Sequence, residues 1–352
     1  MSTASNCIEK QVKAFCAQIG ADPLLVQGAG GNVSWKDGDV LWVKASGMWL
    51  AEAESKEIFV PVNLAHLQDA LAKRDFSVKP ELNSNSGLRP SIETLLHALM
   101  PHRVVVHLHA VEILAHLVRI NARQKIQDIV GDAVKWIFVD YFKPGADLAR
   151  AVFEELKNRP DADVVFMGNH GVLLGGASAA ELETLLCDLI ATCQHGLREE
   201  FLHQDPIALP LPLNRSNAYS LLADIQLQRL ALAPALYHKL SSDWVLYPDH
   251  AVFLGHQAVC YNDTQSFLQD PLIASADSPR LVFVRGAGVY VTSAFSQAQH
   301  VQLRCYYEVL RRQPEHVQLK PLASMEVTAL MNWDAEKYRM GLTEKQSAKP
   351  GS

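Results

Sequence analysis

The spacing of apolar residues predicts helices and strands that alternate along the first two hundred residues. Apolar residues at 8, 12, 15, 16 and 19 predict an amphipathic helix that ends at Gly20. Two apolar runs on either side of the turn Asp37-Gly38-Asp39 predict a hairpin over 33–44. Further strands are predicted at 58–62, 104–109, 136–139 and 164–167, and further helices at 63–73, 92–100, 111–120, 147–156 and 178–202.

Prolines at 206, 210 and 212 predict a linker between two units. Beyond it, the pattern predicts a helix over 216–239 and strands over 244–247 and 251–254. We therefore expect a first domain over 1–207 and a C-terminal α/β unit over 208–342. The polar residues 343–352 are expected to be disordered.

Length, charge and cysteine usage narrow the class of protein. The chain has 352 residues, enough for two domains with cores of their own, and a formal net charge of −6. A chain without a basic field is not expected to bind nucleic acid. The sequence shows neither a signal peptide nor an apolar run of membrane-spanning length, and no membrane partner is expected. Six cysteines without a CxxC pair indicate reduced thiols and a cytoplasmic location.

Candidate chemistry concentrates around two histidines. The run 104–109 has the pattern of a buried strand in which His107 and His109 share one face, because side chains alternate along a strand. Ser91 can cap the preceding helix, which places Glu93 in its first turn. A helix packed on the strand brings this carboxylate towards the two imidazoles. Two neutral imidazoles and a carboxylate are zinc-type ligands.

A third imidazole is available further along the chain. His170 lies between loop-forming residues at the end of strand 164–167, where the scaffold can hold it facing a cleft. The alternative for all these residues is that polar side chains at a strand edge are each satisfied by a hydrogen bond. His97 lies four residues after Glu93 on the same helix face, which allows it to support the ligands from behind, but an ordinary core or surface position is the favoured interpretation.

Two loops rich in small residues are candidates for anion binding. Three glycines within 28–31 let the backbone approach a ligand closely. Asn32 and Ser34, with Ser46 in the second loop, are suitable donors to phosphate or another anion. The alternative is a plain entry into the hairpin. The first loop lacks the GxGxxG spacing of a dinucleotide fingerprint.

One segment of the first unit recurs in the second. Residues 165–172 align with residues 282–289, and each copy is followed by a short strand, a small-residue turn and a long helix. His170 falls opposite Ala287 in this alignment. The second unit is therefore interpreted as a degenerate partial repeat that kept the packing and lost the metal, with a chance match as the alternative.

Five motifs together resemble the class II aldolase/adducin family of zinc-dependent sugar-phosphate aldolases. They occur in the family's order and spacing across residues 8–200, and they are GAGGNVS (28–34), SG (46–47), PSIE (90–93), HLH (107–109) and GNHG (168–171). The sequence PSIETLLHALMP, followed by a strand with HLHA, looks closest to the aldolase part of bifunctional rhamnulose-1-phosphate aldolase/lactaldehyde dehydrogenases. No dehydrogenase half follows here, because the Rossmann motif is missing.

The resemblance implies a three-layer α/β/α fold with a central mixed sheet. It also implies a divalent ion, Zn²⁺ with Mn²⁺ or Co²⁺ as alternatives, held by His107, His109 and His170. Glu93 would be both a ligand and the acid/base that moves a proton at the substrate. The predicted phosphate and substrate site comprises Gly31, Asn32, Ser34, Ser46, Gly47 and Ser91.

The implied function is retro-aldol cleavage of a sugar phosphate such as a ketose 1-phosphate, through a metal-stabilised enediolate, by a homo-oligomer. Epimerases, decarboxylases and dehydratases of the family share the same ligands and remain alternatives. A non-catalytic adducin-like module is a further alternative, but such a module needs neither the histidines nor Glu93. A nicotinamide-linked dehydrogenase would need the missing fingerprint.

Three differences from the family pattern limit which of the family's residue roles can be assigned to this chain. Ile92 stands where many fuculose-phosphate aldolases have a second serine. The family's tyrosine acid, donated by a neighbouring subunit, has no match in residues 120–130. The extension over 208–340 is not part of the minimal aldolase, and it is expected either to replace a subunit contact or to cover the site.

Overall fold

The computed structural model describes residues 3–83, 87–195, 197, 219–314 and 316–334. The predicted proline linker, the boundary at 207 and the tail at 343–352 lie outside these ranges. Within them, every helix is too short or too polar to cross a membrane.

The larger sheet contains seven strands among the described residues, and it is mixed. From one edge to the other the strands are β3 (Phe59–Asn63), β2 (Val40–Lys44), β1 (Asn32–Asp37), β4 (Val104–Leu108), β7 (Gly171–Gly176), β6 (Val164–Met167) and β5 (Trp136–Val139). Neighbours pair antiparallel except β5 and β6, which are parallel. The predicted central mixed sheet is confirmed.

Helices cover both faces of this sheet, which confirms the predicted three-layer α/β/α fold. One apolar cluster joins one face to α1 (Thr3–Gly20), α4 (Val111–Leu117), α5 (Ala122–Val130) and α7 (Ala179–His195). A second cluster joins the other face to α2 (Leu64–Ala72), α3 (Thr94–Leu99) and α6 (Ala146–Asn158). Strand β4 contributes side chains to both clusters, because Val104 and Val106 face the first while Val105 faces the second. As the cap pattern predicts, Asn63 Oδ1 accepts the His66 N–H at 3.0 Å.

A second, smaller α/β unit follows. Its sheet has the order β8 (Tyr219–Leu221), β11 (Gly288–Thr292), β10 (Leu281–Val284) and β9 (Cys260–Tyr261). Its helices are α8 (Arg229–Leu232), α9 (Pro234–Ser242), α10 (Pro248–Leu254), α11 (Thr264–Gln269), α12 (Gln297–Leu310) and α13 (Ser324–Met331).

The second sheet repeats four neighbouring strands of the first. In β4-β7-β6-β5 and in β8-β11-β10-β9, the first two pairings are antiparallel and the third is parallel. Leu221 pairs with Tyr290 at the position where His107 pairs with Leu173. The fold therefore agrees with the partial repeat inferred from the sequence.

The turn between the two repeated strands keeps one special backbone conformation. Asn169 has φ +53° in the first copy, and Gly286 has φ +70° at the aligned position of the second copy. Both values lie in the left-handed region, which glycine and asparagine tolerate best among the amino acids. The same backbone turn thus carries His170 in one copy and Ala287 in the other.

Three secondary-structure predictions for the second unit are wrong. The described part of 216–239 is not one helix, because it forms strand β8, the short helix α8 and most of α9. Helix α9 begins at Pro234, since proline lacks an N–H and is favoured at the first position of a helix. The predicted strand 251–254 is the end of helix α10, which also begins with a proline, and residues 244–247 form no strand. Short apolar runs do not distinguish a strand from a buried helix.

The two units share one core and a buried ion pair. Side chains of α10, α12 and α13 belong to the same apolar cluster as α4 and α7. Arg312 Nη2 donates to Glu112 Oε1 at 2.7 Å, and Gln313 Nε2 donates to the Ala115 carbonyl at 2.8 Å. The second unit is therefore packed directly on the helix that follows β4.

His250 lies inside the core of the second unit. Its ring is fully buried against Trp244 and Tyr306, with ring centroids 4.3 and 4.6 Å away. Among the described residues, neither ring nitrogen has a hydrogen-bond partner. Burial lowers the pKa of His250 to about 3, since the charged imidazolium loses its hydration.

We predict that His250 makes the folded state sensitive to acid. Stability from a histidine with a depressed pKa is complete above the unfolded value of about 6.5 and is lost as pH falls towards about 3. In urea unfolding, we expect His250→Phe to reduce the stability lost between pH 7.5 and pH 5 by about 2 kcal/mol. The same substitution at exposed His238 should leave that loss unchanged. An identical pH dependence in wild type and His250→Phe would contradict the prediction.

Candidate active site

Three histidines converge at the end of β4. His107 lies on β4 and His109 follows it, while His170 occupies the turn between β6 and β7. Because β4 pairs antiparallel with β7, this turn comes to lie beside the end of β4. One ring nitrogen from each histidine lies within 4.8 Å of the others, and all three residues are buried. The structure thus brings together the three imidazoles that the sequence singled out.

Glu93 completes this cluster. Its Oε1 lies 3.1 Å from His170 Nε2, and its Oε2 lies 3.5 Å from His107 Nε2. The helix begins later than the sequence predicts, because Glu93 itself is the N-cap of α3. Ser91 does not cap the helix: its Oγ accepts the Glu93 N–H at 3.2 Å and shapes the turn before it. That turn places the carboxylate against the imidazoles.

The geometry of the donors fits a divalent cation. His107 Nδ1 lies 3.1 Å from the Val172 carbonyl, to which Nδ1–H donates, and the lone pair is therefore on Nε2. That Nε2 faces His109 Nε2 at 3.1 Å. Two donors at about 2.1 Å from a tetrahedral zinc are about 3.4 Å apart, close to the separations observed here. The cluster can therefore bind a divalent metal ion.

The charges in the cluster also suit a cation. Burial lowers the pKa of His107 to about 3 and keeps its imidazole neutral. Burial raises the pKa of Glu93, but the facing rings of His107 and His170 outweigh that effect and hold the pKa well below its usual value. The site thus contains a carboxylate that is ionised at neutral pH beside nitrogen lone pairs.

A buried chain of hydrogen bonds orients Glu93. Asn32 Nδ2 donates to Glu93 Oε2 at 2.9 Å, and Asn32 Oδ1 accepts from His97 Nε2–H. Ser34 Oγ in turn donates to His97 Nδ1 at 2.8 Å. Burial lowers the pKa of His97 to about 4, which keeps the ring neutral and able to accept from Ser34. His97 thereby fixes which way the Asn32 amide points.

This arrangement changes the interpretation of two residues. The sequence assigned Ser34 to the phosphate site, but its side chain is fully buried against His97 and does not line the cavity. For His97 the structure favours the supporting role over an ordinary core or surface position, because its ring holds the amide that contacts Glu93. Its position four residues after Glu93 on the same helix face is the sequence signal for this role.

The other predicted phosphate residues, together called the phosphate wall, line one cavity with Glu93, His109 and His170. They are Gly31, Asn32, Ser46, Gly47 and Ser91. Backbone hydrogen bonds join the second small-residue loop to the segment before α3, because Ser46 N–H donates to the Arg89 carbonyl at 2.8 Å and Ser91 N–H to the Lys44 carbonyl at 3.2 Å.

Lys44 is a residue of this cavity that the sequence did not suggest. It is 2% exposed, and its Nζ donates to the carbonyls of Ala29 at 2.9 Å and Met48 at 2.6 Å. A buried ammonium places positive charge behind both small-residue loops. The strand pattern of β2 gave no signal for it, because a lysine at a strand end is usually solvated.

Gly31 allows the first loop to approach the histidines. Its φ is +62°, and a Cβ at this position would lie 3.0 Å from the carbonyl oxygen of His107. Any other residue would therefore be strained and would push the loop away from β4.

The second unit contributes to the site in two places. Asn169 Nδ2 donates to the carbonyls of Leu246 at 2.9 Å and Lys320 at 2.6 Å, which holds the turn that carries His170. Pro248 and Asp249 of α10 line the cavity itself. The second unit therefore lines part of the site.

The first part of this chain is similar in sequence to known proteins. Residues 10–196 match the class II aldolase and adducin N-terminal domain. The chain is 33% identical over 178 residues to a Bacillus subtilis (strain 168) protein named uncharacterized oxidoreductase YuxG, a stretch that covers 46% of this chain and 25% of that protein. The chain thus spans about a quarter of the length of this relative.

Solved structures with similarity to this chain include two proteins with aldolase names. One is the N-terminal class II aldolase domain of a conserved protein from Thermoplasma acidophilum, with 27% identity, coverage of 53% of this chain and 92% of that chain, and a TM-score of 0.45. The other is a sugar-phosphate aldolase from Thermotoga maritima, with 16% identity, coverage of 58% and 99%, and a TM-score of 0.45.

The family match covers more than half of the chain and nearly all of the region 8–200 over which the motifs resemble the family. The resemblance drawn from the sequence is therefore confirmed. This chain belongs to the class II aldolase and adducin N-terminal domain family.

Proposed function

We propose that this protein is a metal-dependent class II aldolase that cleaves a sugar phosphate such as a ketose 1-phosphate. The observation that carries the proposal is the convergence of three imidazole nitrogens within 4.8 Å of one another, with the Glu93 carboxylate beside them. A non-catalytic module of the family would have no need of this donor set. In the proposal, residues 1–207 are the catalytic domain and 208–342 the extension that covers it, in a cytoplasmic homo-oligomer.

His107, His109 and His170 would hold the ion, with Glu93 as a further ligand. We propose zinc, with Mn²⁺ and Co²⁺ as alternatives. When bound, such an ion supplies a Lewis acid that polarises the carbonyl of the ketose.

Glu93 would move the proton that the reaction requires. Its Oε2 accepts from Asn32, whereas its Oε1 lies 3.1 Å from His170 Nε2 and has no other side-chain partner among the described residues. Glu93 is ionised at rest, and in the direction of bond formation it would remove a proton from the carbon beside the carbonyl. In cleavage it would first take up a proton from solvent and then deliver it to the same carbon, which is left electron-rich when the carbon–carbon bond breaks.

The phosphate of the substrate would bind at the phosphate wall, between the two small-residue loops and the segment before α3. Asn32, Ser46 and Ser91 offer side-chain donors there, and the buried ammonium of Lys44 supplies positive charge behind them. Anchoring the phosphate at this wall would place the carbonyl end of the sugar towards the histidines, because both line the same cavity.

Metal binding gives the first test of the site. We expect His109→Ala to bind zinc at least about 100-fold more weakly than wild type, because it loses a ligand, and to keep its fold. Elemental analysis after zinc loading and dialysis measures the bound metal, and circular dichroism checks the fold. His66→Ala, which removes a histidine of α2 whose ring lies 3.5 Å from Glu81, is the matched control. A folded His109→Ala protein with one zinc per chain would refute the ligand assignment.

Activity gives the second test. We expect chelator-sensitive cleavage of at least one member of a ketose 1-phosphate panel, and a fall in kcat of about 10²–10⁴ in Glu93→Gln, because the amide does not carry the proton. Glu154→Gln, at an exposed carboxylate, should retain wild-type kcat. Bound metal without cleavage would reject the aldolase in favour of an epimerase, a decarboxylase or a dehydratase. Full activity in Glu93→Gln would reject the role of Glu93.

The phosphate wall gives the third test. We expect Ser46→Ala to weaken a phosphorylated ligand by about 10-fold or more relative to its unphosphorylated analogue, because a hydrogen bond to a charged group is lost. Inhibition constants for the two ligands measure this difference. Ser34→Ala, which acts through His97 and not at the wall, should affect both ligands equally. Equal effects from Ser46→Ala would mean that the phosphate lies elsewhere.

A further inference from the structure

One acidic side chain of the second unit reaches the metal cluster of the first. Asp249 lies in the first turn of α10 and is 2% exposed. It lines the same cavity as Glu93 and His170. No sequence motif points to it, because about 80 residues separate it from His170, the nearest histidine of the cluster along the chain.

The Asp249 carboxylate is held from three sides. Its Oδ2 lies 3.4 Å from His109 Nδ1 and accepts from Gln302 Nε2 at 3.3 Å. On the third side the backbone of Gly30 approaches so closely that a Cβ there would lie 3.3 Å from the same oxygen. The carboxylate is therefore fixed in direction and faces the imidazole of His109.

The two nitrogens of His109 have different surroundings. Nε2 faces His107 Nε2 at 3.1 Å, on the side where a cation would bind, whereas Nδ1 faces the carboxylate. A neutral imidazole can offer a lone pair at Nε2 only when its proton is on Nδ1. A carboxylate that accepts from Nδ1–H stabilises this tautomer and increases the electron density at the ligand nitrogen.

We propose that Asp249 is a positioning residue for His109, and that the metal site is incomplete without the second unit. For His107, the Val172 carbonyl of the same sheet has this role, because it accepts from Nδ1–H. His109 instead depends on a carboxylate from the second unit. The inference rests on the metal centre of the proposed function, but it does not depend on which reaction follows.

The partial repeat places this role in context. The second unit has Leu221 and Ala287 at the positions of His107 and His170, and these side chains offer no ligand for a metal. It nevertheless supplies Asp249 to the first unit, supported by Gln302 from α12. The second unit, which has no metal ligand at these two positions, thus supports the metal ligand His109 of the first unit.

The first arm of the test measures zinc affinity by competition with a chromogenic chelator. We expect Asp249→Asn, which keeps the shape and removes the charge, to bind zinc about 10- to 100-fold more weakly than wild type. Asp243→Asn is the matched control, because Asp243 is a buried acid of the same unit that pairs with Lys239. It should stay within about twofold of wild type, since it does not contact any ligand. Equal affinities in Asp249→Asn and wild type would overturn the proposal.

The second arm measures the tautomer of His109 in metal-free protein by long-range ¹⁵N–¹H correlation. We expect the Nδ1–H form in the wild type and a shift towards Nε2–H in Asp249→Asn. This measurement also decides the matter if Asp249→Asn does not fold, because an Nε2–H tautomer in the wild type is enough to reject the role of Asp249. A purely structural role would move neither the tautomer nor the affinity of a folded variant.

The two arms separate this inference from the proposed reaction. Weaker zinc binding in Asp249→Asn without cleavage of any ketose 1-phosphate by wild type would support the inference and reject the aldolase. Cleavage by wild type, with an unchanged tautomer and an unchanged zinc affinity in Asp249→Asn, would support the aldolase and reject the inference.

Discussion

The antiparallel pairing of β4 with β7 is the constraint on which the site depends. This register places His107 opposite Leu173 and sets the turn with His170 beside the end of β4. A slip of one residue would turn His107, and with it His109 just after the strand, to the other face of the sheet. The slip is disfavoured because apolar clusters bury alternate residues of β4 on both faces. The hydrophobic layers therefore also fix the position of the metal ligands.

A buried carboxylate beside these ligands needs partners of its own, because an isolated charge in the interior is costly. Glu93 obtains them from the imidazoles and from Asn32, whose amide is oriented by the neutral ring of His97. The polar network is arranged around one ionised group and nitrogen lone pairs. Such an arrangement is favourable for a cation and would be unfavourable as an ordinary apolar core.

The partial repeat shows how fold and chemistry separate. The second sheet keeps the strand order, the pairing directions and even the left-handed turn of the first, with Gly286 in place of Asn169. The histidines are not repeated, since Leu221 and Ala287 occupy their positions. Packing constrains the shape of a unit, whereas function depends on a few side chains that substitution can remove without loss of the fold. Here the second unit lines part of the site of the first through Pro248 and Asp249.

The sequence by itself determined the strand with His107 and His109, the turn with His170, the acidic residue Glu93 and the family, because each is encoded in local spacing. Tertiary structure alone decided which distant residues join them. It moved Ser34 behind the site, gave His97 a supporting role, and added Lys44 and Asp249. It also replaced the predicted helix 216–239 with shorter elements. Periodicity shows which face of an element is buried, but it carries no information on which remote element packs against that face.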